Sequence, residues 1–270
     1  MRLDRKTHRD ARLGGLPTSR PTASGKAPEA ACAVVLAGGA GTRIRHLYPD
    51  LPKPMVPAAG APFIEWVLRY LREEGLTRFI VSLGHLAAVA ENYFACRSAD
   101  ACHVETVREP APLGTAGALV FAAQTAGRSA DPLLLANGDS LVLADLSPAW
   151  RLLADESVDG VVVGLSVSDA SRYGGLETAD DGRLLRFSEK RPGTGLINAG
   201  VYLFRRRLLG EFPSGSPLSL EHDVFPKLLA AGARLMVHRC QAPFLDIGTP
   251  ESIGQAESFV RQHFLTQVAA

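Results

Sequence analysis

Residues 36–53 bring together backbone and side chains that could bind a triphosphate. An apolar run ends in a glycine-rich turn at residues 38–42, and Arg43 follows it directly. Glycine N–H groups can approach an anion closely, and a helix that starts near Thr42 would add its positive N-terminal end. Arg43 supplies a forked cation, and Lys53, between two prolines, supplies a point charge. We therefore predict a phosphate cradle at the carboxyl end of a first strand.

Two commoner glycine loops do not fit this turn. A P-loop carries a lysine directly after its last glycine, and no lysine follows these glycines. A dinucleotide fingerprint has three glycines, but counting from Gly39 its third position is Ile44. An ordinary strand–turn–helix corner is the remaining alternative, although such a corner needs neither Arg43 nor the Pro-Lys-Pro unit.

A second candidate for chemistry is Asp139, which follows a predicted strand over residues 132–136. An aspartate at the carboxyl end of a central strand is costly to bury without a partner. Mg²⁺ prefers carboxylate oxygen ligands, and phosphate transfer commonly uses Mg²⁺. We therefore predict that Asp139 binds Mg²⁺.

Alternating strands and helices would position these residues. We expect strands near residues 33–36, 78–83, 103–107 and 132–136, and helices over about 62–75 and 86–95. This alternation indicates an α/β fold with a parallel sheet, whose ligands bind at the carboxyl ends of the strands. From residue 158 onward the pattern is richer in strands and includes a hairpin with Asp181-Gly182 at its turn.

Several blocks of the chain resemble the sugar-1-phosphate nucleotidylyltransferase family. The first blocks are LAGGAGTR at 36–43, PKPM at 52–55 and EPAPLGTAG at 109–117. The later blocks are NGD at 137–139, a Tyr-Gly pair at 173–174, SEK at 188–190, NAG at 198–200 and DIGTP at 246–250. Within the family, the spacing is most similar to the short guanylyltransferases for heptose or mannose 1-phosphate, especially D-glycero-D-manno-heptose 1-phosphate guanylyltransferase.

The resemblance implies a Rossmann-like three-layer fold, with a mostly parallel central sheet and a small β-rich acceptor lobe. It implies a reaction between a nucleoside triphosphate and a sugar 1-phosphate that gives a nucleotide sugar and pyrophosphate, with Mg²⁺ as cofactor. The protein would act in the cytoplasm as a monomer or homodimer, without nucleic-acid or membrane partners.

The resemblance also implies roles for individual residues. Those that would bind the nucleotide are Leu36, Ala37, Gly38, Gly39, Gly41, Thr42, Arg43, Lys53, Glu109, Gly114 and Thr115. Those that would bind the sugar phosphate are Asn137, Gly175, Glu189, Lys190 and Asn198. Asp139 and Asp246 would hold the metal ion, although Asp246 could instead cap a helix. The catalytic residues would be Arg43, Lys53, Asp139 and Lys190.

The identity of the base depends on Glu109, whose block lies against the nucleobase in the family. A carboxylate can accept from both N1–H and the amino group of guanine, so Glu109 favours GTP. It could also accept from a uracil N–H, or be a solvated loop residue. Gly175 and the short loop 191–195 depart from the family pattern at the sugar site, so the sugar is less well specified than the reaction.

Three other functions are compatible with parts of the pattern. One is a uridylyltransferase for a hexose or N-acetylmuramic acid 1-phosphate. Another is a nucleotide-sugar sensor without turnover, which the presence of both aspartates and both lysines disfavours. The third is a glycosyltransferase on a similar fold, which would need a DxD metal motif that the chain lacks.

The 270 residues suffice for one large α/β domain, and the net charge of +1 does not indicate a polyanionic partner. We predict a disordered basic tail over residues 1–30 (a transit peptide is a weaker alternative), then one domain over 31–270. Its halves would be 31–145 for the nucleotide and 146–250 for the sugar phosphate, with a C-terminal helix over 251–270. The four cysteines form no metal-binding or disulfide pattern, and we expect reduced thiols.

Overall fold

The computed structural model describes residues 25–97, 103–126, 130–188, 191–212 and 217–266. Residues 1–24 of the predicted tail, and the predicted acceptor-site residues Glu189 and Lys190, lie outside the described residues. Residues 25–30 belong to the predicted tail, and within them Ala27 lies against the body of the protein. There the Ala27 N–H donates to the Glu74 carbonyl at 3.4 Å.

The described part of the chain forms thirteen strands and six α-helices. The strands are β1 (Cys32–Ala37), β2 (Pro57–Ala58), β3 (Ala61–Pro62), β4 (Arg78–Leu83), β5 (His103–Arg108), β6 (Leu133–Asn137), β7 (Ser140–Val142), β8 (Gly160–Val167), β9 (Gly175–Thr178), β10 (Leu184–Ser188), β11 (Gly195–Phe204), β12 (Leu235–Cys240) and β13 (Phe244–Asp246). The helices are α1 (Phe63–Glu73), α2 (Ala87–Ala95), α3 (Gly114–Thr125), α4 (Ser147–Ala154), α5 (Phe225–Ala230) and α6 (Pro250–Val260).

Nine of these strands form the central sheet. Seven follow the order β10-β9-β11-β6-β1-β4-β5, while β8 pairs with β11 and β12 pairs with β8. The four strands β6, β1, β4 and β5 are mutually parallel, and β12 is parallel to β8. β11 runs antiparallel to β6, and the hairpin β9–β10 turns at Gly182 as predicted. The predicted α/β fold with a large, mostly parallel sheet is confirmed.

The sheet separates two hydrophobic cores, which gives the predicted three layers. Along β1, Ala33 and Val35 belong to one core while Cys32 and Val34 belong to the other, as strand alternation requires. The first core is covered by α1, α2, α4 and α6, and the second by α3 and α5. The β-branched and leucine-rich strands are buried on both faces because helices cover both of them.

Helix α1 shows how the pattern produces a buried face. The apolar spacing in the sequence predicts that five residues share one face, and all five are buried: Phe63, Trp66, Val67, Tyr70 and Leu71. The two polar groups among them have partners, because Trp66 Nε1 donates to the Ala58 carbonyl and the Tyr70 hydroxyl donates to the Ala144 carbonyl, each at 2.9 Å. Gly75, at φ +100°, then ends the helix as predicted.

Two expected helices differ from prediction. No helix begins at Thr42: residues 42–47 form successive turns, in which the Ile44 and Arg45 N–H groups donate to the Gly41 carbonyl. Pro49 restricts Tyr48 to non-helical backbone, so the turns cannot extend into a helix. The sequence also predicts a helix that is capped by Ser219 and runs to Ala231, but the segment begins as a π-helical turn, Leu220–Val224, before α5.

None of the helices in the described ranges has the length and hydropathy needed to cross a bilayer.

Candidate active site

The glycine-rich turn follows β1 directly, at the edge of the sheet where the parallel strands end. Gly41 has φ +57°, a left-handed conformation that favours glycine. Thr42 and Arg43 are exposed there, and Arg43 forms no salt bridge within the described ranges. The guanidinium is therefore available to an anion. The backbone of the turn, rather than a helix N-terminus, provides the N–H groups.

Lys53 is fixed next to this turn. It begins the 3₁₀ helix Lys53–Met55, with Pro52 before it and Pro54 inside it. A Cβ at Gly41 would lie 3.2 Å from the Lys53 Cβ, so the glycine allows the two segments to approach closely. The two prolines limit the freedom of the backbone around Lys53.

The Lys53 ammonium forms an ion pair with Asp139. Lys53 Nζ lies 2.6 Å from Asp139 Oδ2, and the two side chains are only 11% and 31% exposed. Asp139 follows β6, and the Gly138 N–H donates to the Leu36 carbonyl at 2.8 Å, which ties this strand end to the end of β1. The structure thus brings the predicted phosphate cradle and the predicted metal ligand together.

Asp246, at the end of β13, lies beside the segment that carries Asp139. It pairs in register with Ser140, and the Ile247 N–H donates to the Asp139 carbonyl at 3.0 Å. The Gly248 N–H donates to Asp246 Oδ1 at 2.7 Å. A Cβ at Gly248 would lie 2.3 Å from Asp246 Oδ1 and 3.4 Å from Lys53 Nζ, so the glycine leaves room for both groups.

Asp139 and Asp246 are the two residues predicted to hold a divalent cation. Within the described ranges, no group of three or more His, Cys, Asp or Glu side chains could hold a metal ion. Two carboxylates alone could still serve as protein ligands, because Mg²⁺ commonly takes its remaining ligands from substrate and water. Lys53 Nζ, a cation already bound at Asp139, shows that positive charge is accommodated here.

A cavity of about 200 Å³ is lined by the glycine-rich turn, Lys53 and Asp139. Nine of its lining residues belong to the turn, its flanks and the neighbouring segments described above, and the other two are Ile44 and Pro54. The nine are Leu36, Ala37, Gly39, Gly41, Thr42, Arg43, Lys53, Asp139 and Gly248. Gly248 was not predicted as a lining residue, although it lies within the DIGTP block.

Glu109 lies beside the cradle, at the end of β5. A Cβ at Gly38 would be 2.5 Å from Glu109 Oε1. Oε1 accepts from the Ser82 hydroxyl at 2.9 Å, and Oε2 accepts from the Leu113 N–H at 3.2 Å. Glu109 is thus partly buried and organised rather than a solvated loop residue, and each oxygen keeps a further lone pair.

Gly114 and Thr115 begin α3 and contact the segment before α5. Gly114 has φ +73°, and a Cβ there would lie 2.3 Å from the Leu218 carbonyl oxygen. Thr115 Oγ1 accepts from the Leu220 N–H at 2.8 Å. These contacts join the predicted nucleotide half to the second half of the chain.

The described acceptor-site residues cluster near β11. Asn137 packs against Gly200, and the Asn198 N–H donates to the Gly174 carbonyl, next to Gly175. A Cβ at Gly175 would lie 2.4 Å from Ser188 Oγ, which explains why glycine stands at this position.

Two residues near Asn198 were missed. The Asn198 amide donates to the Tyr202 hydroxyl at 2.6 Å and to Glu221 Oε1 at 3.3 Å. Burial, followed by the nearby Glu221 charge, raises the pKa of Tyr202 well above its usual value, so its hydroxyl stays protonated. The sequence marks Glu221 only as an acid in the first turn of a helix, which gives no hint of a long-range partner.

Comparison with known proteins shows which family the chain resembles. The nucleotidyl transferase family matches residues 32–263. The chain is 37% identical to mannose-1-phosphate guanylyltransferase of Mycobacterium tuberculosis over 81% of this chain and 61% of that protein, so it spans about three fifths of that relative. It is 30% identical to D-glycero-alpha-D-manno-heptose 1-phosphate guanylyltransferase of Aneurinibacillus thermoaerophilus over 86% of this chain and 99% of that protein.

Solved structures agree with this result. The structure of HddC from Yersinia pseudotuberculosis aligns with a TM-score of 0.73 and 31% identity, covering 84% of this chain and 98% of that one. A second structure of HddC, complexed with GMP-PN, aligns with the same TM-score and 32% identity over the same shares of the two chains. The predicted family is therefore confirmed: the chain belongs to the nucleotidyl transferase family.

Proposed function

We propose that the protein transfers GMP from GTP to a sugar 1-phosphate of the mannose or heptose type, giving a GDP-sugar and pyrophosphate. The observation that carries this proposal is the shared cavity, in which the exposed Arg43 and the glycine-rich turn lie beside the Lys53–Asp139 ion pair. The relatives named guanylyltransferases for mannose and heptose 1-phosphate support the choice of substrates, as does HddC crystallised with GMP-PN.

The chemistry is an in-line displacement at the α-phosphorus. An oxygen of the acceptor phosphate forms the new bond to phosphorus, the bond to the bridging α–β oxygen breaks, and pyrophosphate leaves with the electron pair. Two polyanions must approach each other, so positioning and charge neutralisation provide most of the catalysis.

The cradle would stabilise the leaving group. Arg43 and the backbone N–H groups of residues 39–42 face the β- and γ-phosphates in this proposal, because they are the donors that line the cavity. Lys53 would steady the phosphates being exchanged. Lys190 would neutralise the acceptor phosphate and Glu189 would accept from its sugar, two roles that depend on the sequence resemblance alone.

Asp139 and Asp246 would hold the divalent cation that this family generally uses, and we propose Mg²⁺. When bound, such a cation supplies charge neutralisation at the α-phosphate. Glu109 would accept from guanine N1–H and the amino group, with its carboxylate held in place by Ser82 and Leu113. Asn137, Gly175 and Asn198 would line the sugar.

Pyrophosphate release tests the proposal. GTP, UTP, ATP, CTP and dTTP are each combined with mannose, heptose, glucose and N-acetylmuramic acid 1-phosphates in the presence of Mg²⁺. We expect turnover with GTP and a manno-configured acceptor. Turnover with UTP and a glucose or N-acetylmuramic acid acceptor would replace the guanylyltransferase by a uridylyltransferase. Absence of turnover across the grid, with tight nucleotide-sugar binding by calorimetry, would leave only a sensor.

A further inference from the structure

Glu221 is the centre of a polar cluster that the roles proposed above do not use. The cluster consists of Asn198 and Tyr202 on β11, and of Ser219 and Glu221 at the start of the π-helical turn. Glu221 Oε1 accepts from the Tyr202 hydroxyl at 2.8 Å and from the Asn198 amide at 3.3 Å. Glu221 Oε2 accepts from the Ser219 hydroxyl at 3.0 Å. One carboxylate therefore joins two segments that are far apart in sequence.

These contacts determine which way the Asn198 amide faces. Its nitrogen donates to Tyr202 and Glu221, and its oxygen accepts from the Gly200 N–H at 3.2 Å. Both amide hydrogens are used, so any group still available on Asn198 is an oxygen lone pair. Tyr202 is 1% exposed, so its hydroxyl supports the neighbouring side chains and does not contact a ligand.

The hydrogen-bonding positions that remain free in the cluster are acceptors. Asn198 Oδ1 and Glu221 Oε2 each keep one lone pair after the contacts above. Hydroxyl groups of a sugar ring are donors that match such acceptors, whereas the oxygens of a phosphate are acceptors and would be repelled. The cluster is thus suited to the sugar and not to the phosphate of the acceptor.

The position of the cluster agrees with this chemistry. Leu220, next to Glu221, donates through its N–H to Thr115 Oγ1 on α3. Gly200, two residues after Asn198, packs against Asn137 at the end of β6. The cluster therefore lies between residues assigned to the nucleotide and residues assigned to the sugar.

We propose that Glu221 is a specificity-determining residue of the acceptor site, which holds Asn198 and presents acceptor oxygens to the hydroxyl groups of the sugar ring. This inference depends on the proposed function, because it concerns the sugar of the same reaction. Tyr202 acts as a positioning residue, since it touches Asn198 and Glu221 but is itself buried.

The test measures the affinity contributed by the sugar, independently of turnover. Calorimetry gives the ratio of the dissociation constants of GDP and GDP-mannose for wild type and for Glu221→Gln, which keeps the shape but removes the charge. We expect the sugar contribution to fall about tenfold, because a carboxylate acceptor is roughly twice as strong as a neutral one. Affinity for GDP alone should stay within about twofold. Tyr202→Phe should give the same selective loss.

Asp223→Asn is the matched control, since it makes the same chemical change in the same turn. Asp223 accepts from the Ser219 N–H at 2.8 Å, and no contact found among the described residues joins it to Asn198 or Tyr202. We expect this variant to retain the wild-type ratio. Equal ratios in wild type, Glu221→Gln and Tyr202→Phe would overturn the inference, and so would the same loss in Asp223→Asn.

The same variants separate this inference from the proposed function. In the pyrophosphate assay, Glu221→Gln should raise KM for mannose 1-phosphate about tenfold and leave KM for GTP nearly unchanged. A wild-type protein that binds GDP-mannose more tightly than GDP, but turns over no substrate, would refute the proposed reaction. A selective loss of that preference in Glu221→Gln would still support the role of Glu221. A fall in kcat with every acceptor and no change in KM would mark Glu221 as structural.

Discussion

At the scale of single residues, the Lys53–Asp139 ion pair has a consequence for metal binding. The ammonium lies 2.6 Å from a carboxylate oxygen that we assign to the cation. A cation and an ammonium compete for the same negative charge, and the competition is strong because both side chains are mostly shielded from water. Lys53 would therefore leave Asp139 for the phosphates when nucleotide and metal bind together.

Lys53→Met should strengthen metal binding in the absence of nucleotide. Removing the ammonium leaves the charge of Asp139 uncompensated, so we expect affinity for Mn²⁺ to rise about tenfold. Electron paramagnetic resonance of free Mn²⁺ measures this directly. Lys26→Met changes a lysine in the described part of the chain that forms no ion pair there, and should have no effect. Unchanged Mn²⁺ affinity in Lys53→Met would show that the ammonium does not compete for this site.

Asp139→Asn should abolish most of the turnover while leaving the fold intact. Loss of one metal ligand removes charge stabilisation in the transition state, and we expect kcat to fall at least about a hundredfold. Thermal denaturation should show a change in Tm of only a few degrees. Asp180→Asn, in the exposed hairpin loop, serves as the control and should keep full activity. Activity within a few-fold of wild type would remove Asp139 from the proposed catalytic set.

The residues that could be predicted are those in contiguous blocks. Arg43, Lys53 and Asp139 stand beside glycines or prolines whose spacing indicates phosphate and cation chemistry, and the structure brings them to one cavity. Glu221 and Tyr202 could not be predicted in the same way. Their link to Asn198 arises from the pairing of β11 with its neighbours and the packing of the π-helical turn, and neither leaves a local signal.

At the scale of elements, α3 begins under a tight constraint. Gly114 is at φ +73°, and its α-carbon approaches the Leu218 backbone. The Ala116 N–H donates to the Leu218 carbonyl at 3.0 Å, and the Leu218 N–H donates to the Leu113 carbonyl at 2.7 Å. These bonds hold the start of α3 against the segment that leads to Glu221.

Gly114→Ala should destabilise the protein by about 2–4 kcal/mol. The methyl group would clash with backbone that cannot move without losing two hydrogen bonds, and the left-handed conformation adds strain. Gly254→Ala is the opposite case, because this exposed position in α6 has open space around it. Alanine there should stabilise by about 0.5–1 kcal/mol. Urea denaturation measures both, and equal effects of the two substitutions would contradict this account.

The helices and strands could be predicted from the sequence where apolar residues recur at regular spacing. The strands β1, β4, β5 and β6 and the helix α1 agree with their apolar spacing to within a residue or two. The prediction of a helix at Thr42 was wrong because Pro49 disfavours helical backbone at Tyr48, so residues 42–47 form turns instead. The π-helical turn at Leu220–Val224 was not predictable, since its start depends on Thr115, a residue of a different element.

At the scale of the whole molecule, the two cores determine which cysteines react. Cys32 is 1% exposed in the second core, and burial raises the pKa of its thiol to about 11. Cys96 is exposed at the end of α2. Among the described residues, Cys32, Cys96 and Cys240 form no disulfide.

Thiol labelling at pH 8 should therefore distinguish the two cysteines. In a Cys102→Ser background, we expect iodoacetamide to modify Cys96 in the folded protein and Cys32 only after unfolding, because the reactive thiolate is scarce and inaccessible at Cys32. Peptide mass spectrometry identifies the labelled residue. Labelling of Cys32 in the folded protein as fast as that of Cys96 would contradict the packing of β1 against α3.

The most direct test of the central claim follows each phosphate of GTP separately. Radiolabel is placed on either the α- or the γ-phosphate, and products formed with mannose or heptose 1-phosphate and Mg²⁺ are separated by anion-exchange chromatography. The proposed displacement predicts that α-label appears in the nucleotide sugar and γ-label in pyrophosphate, in equal amounts. Recovery of γ-label as inorganic phosphate or on the sugar, with GDP as the other product, would contradict it.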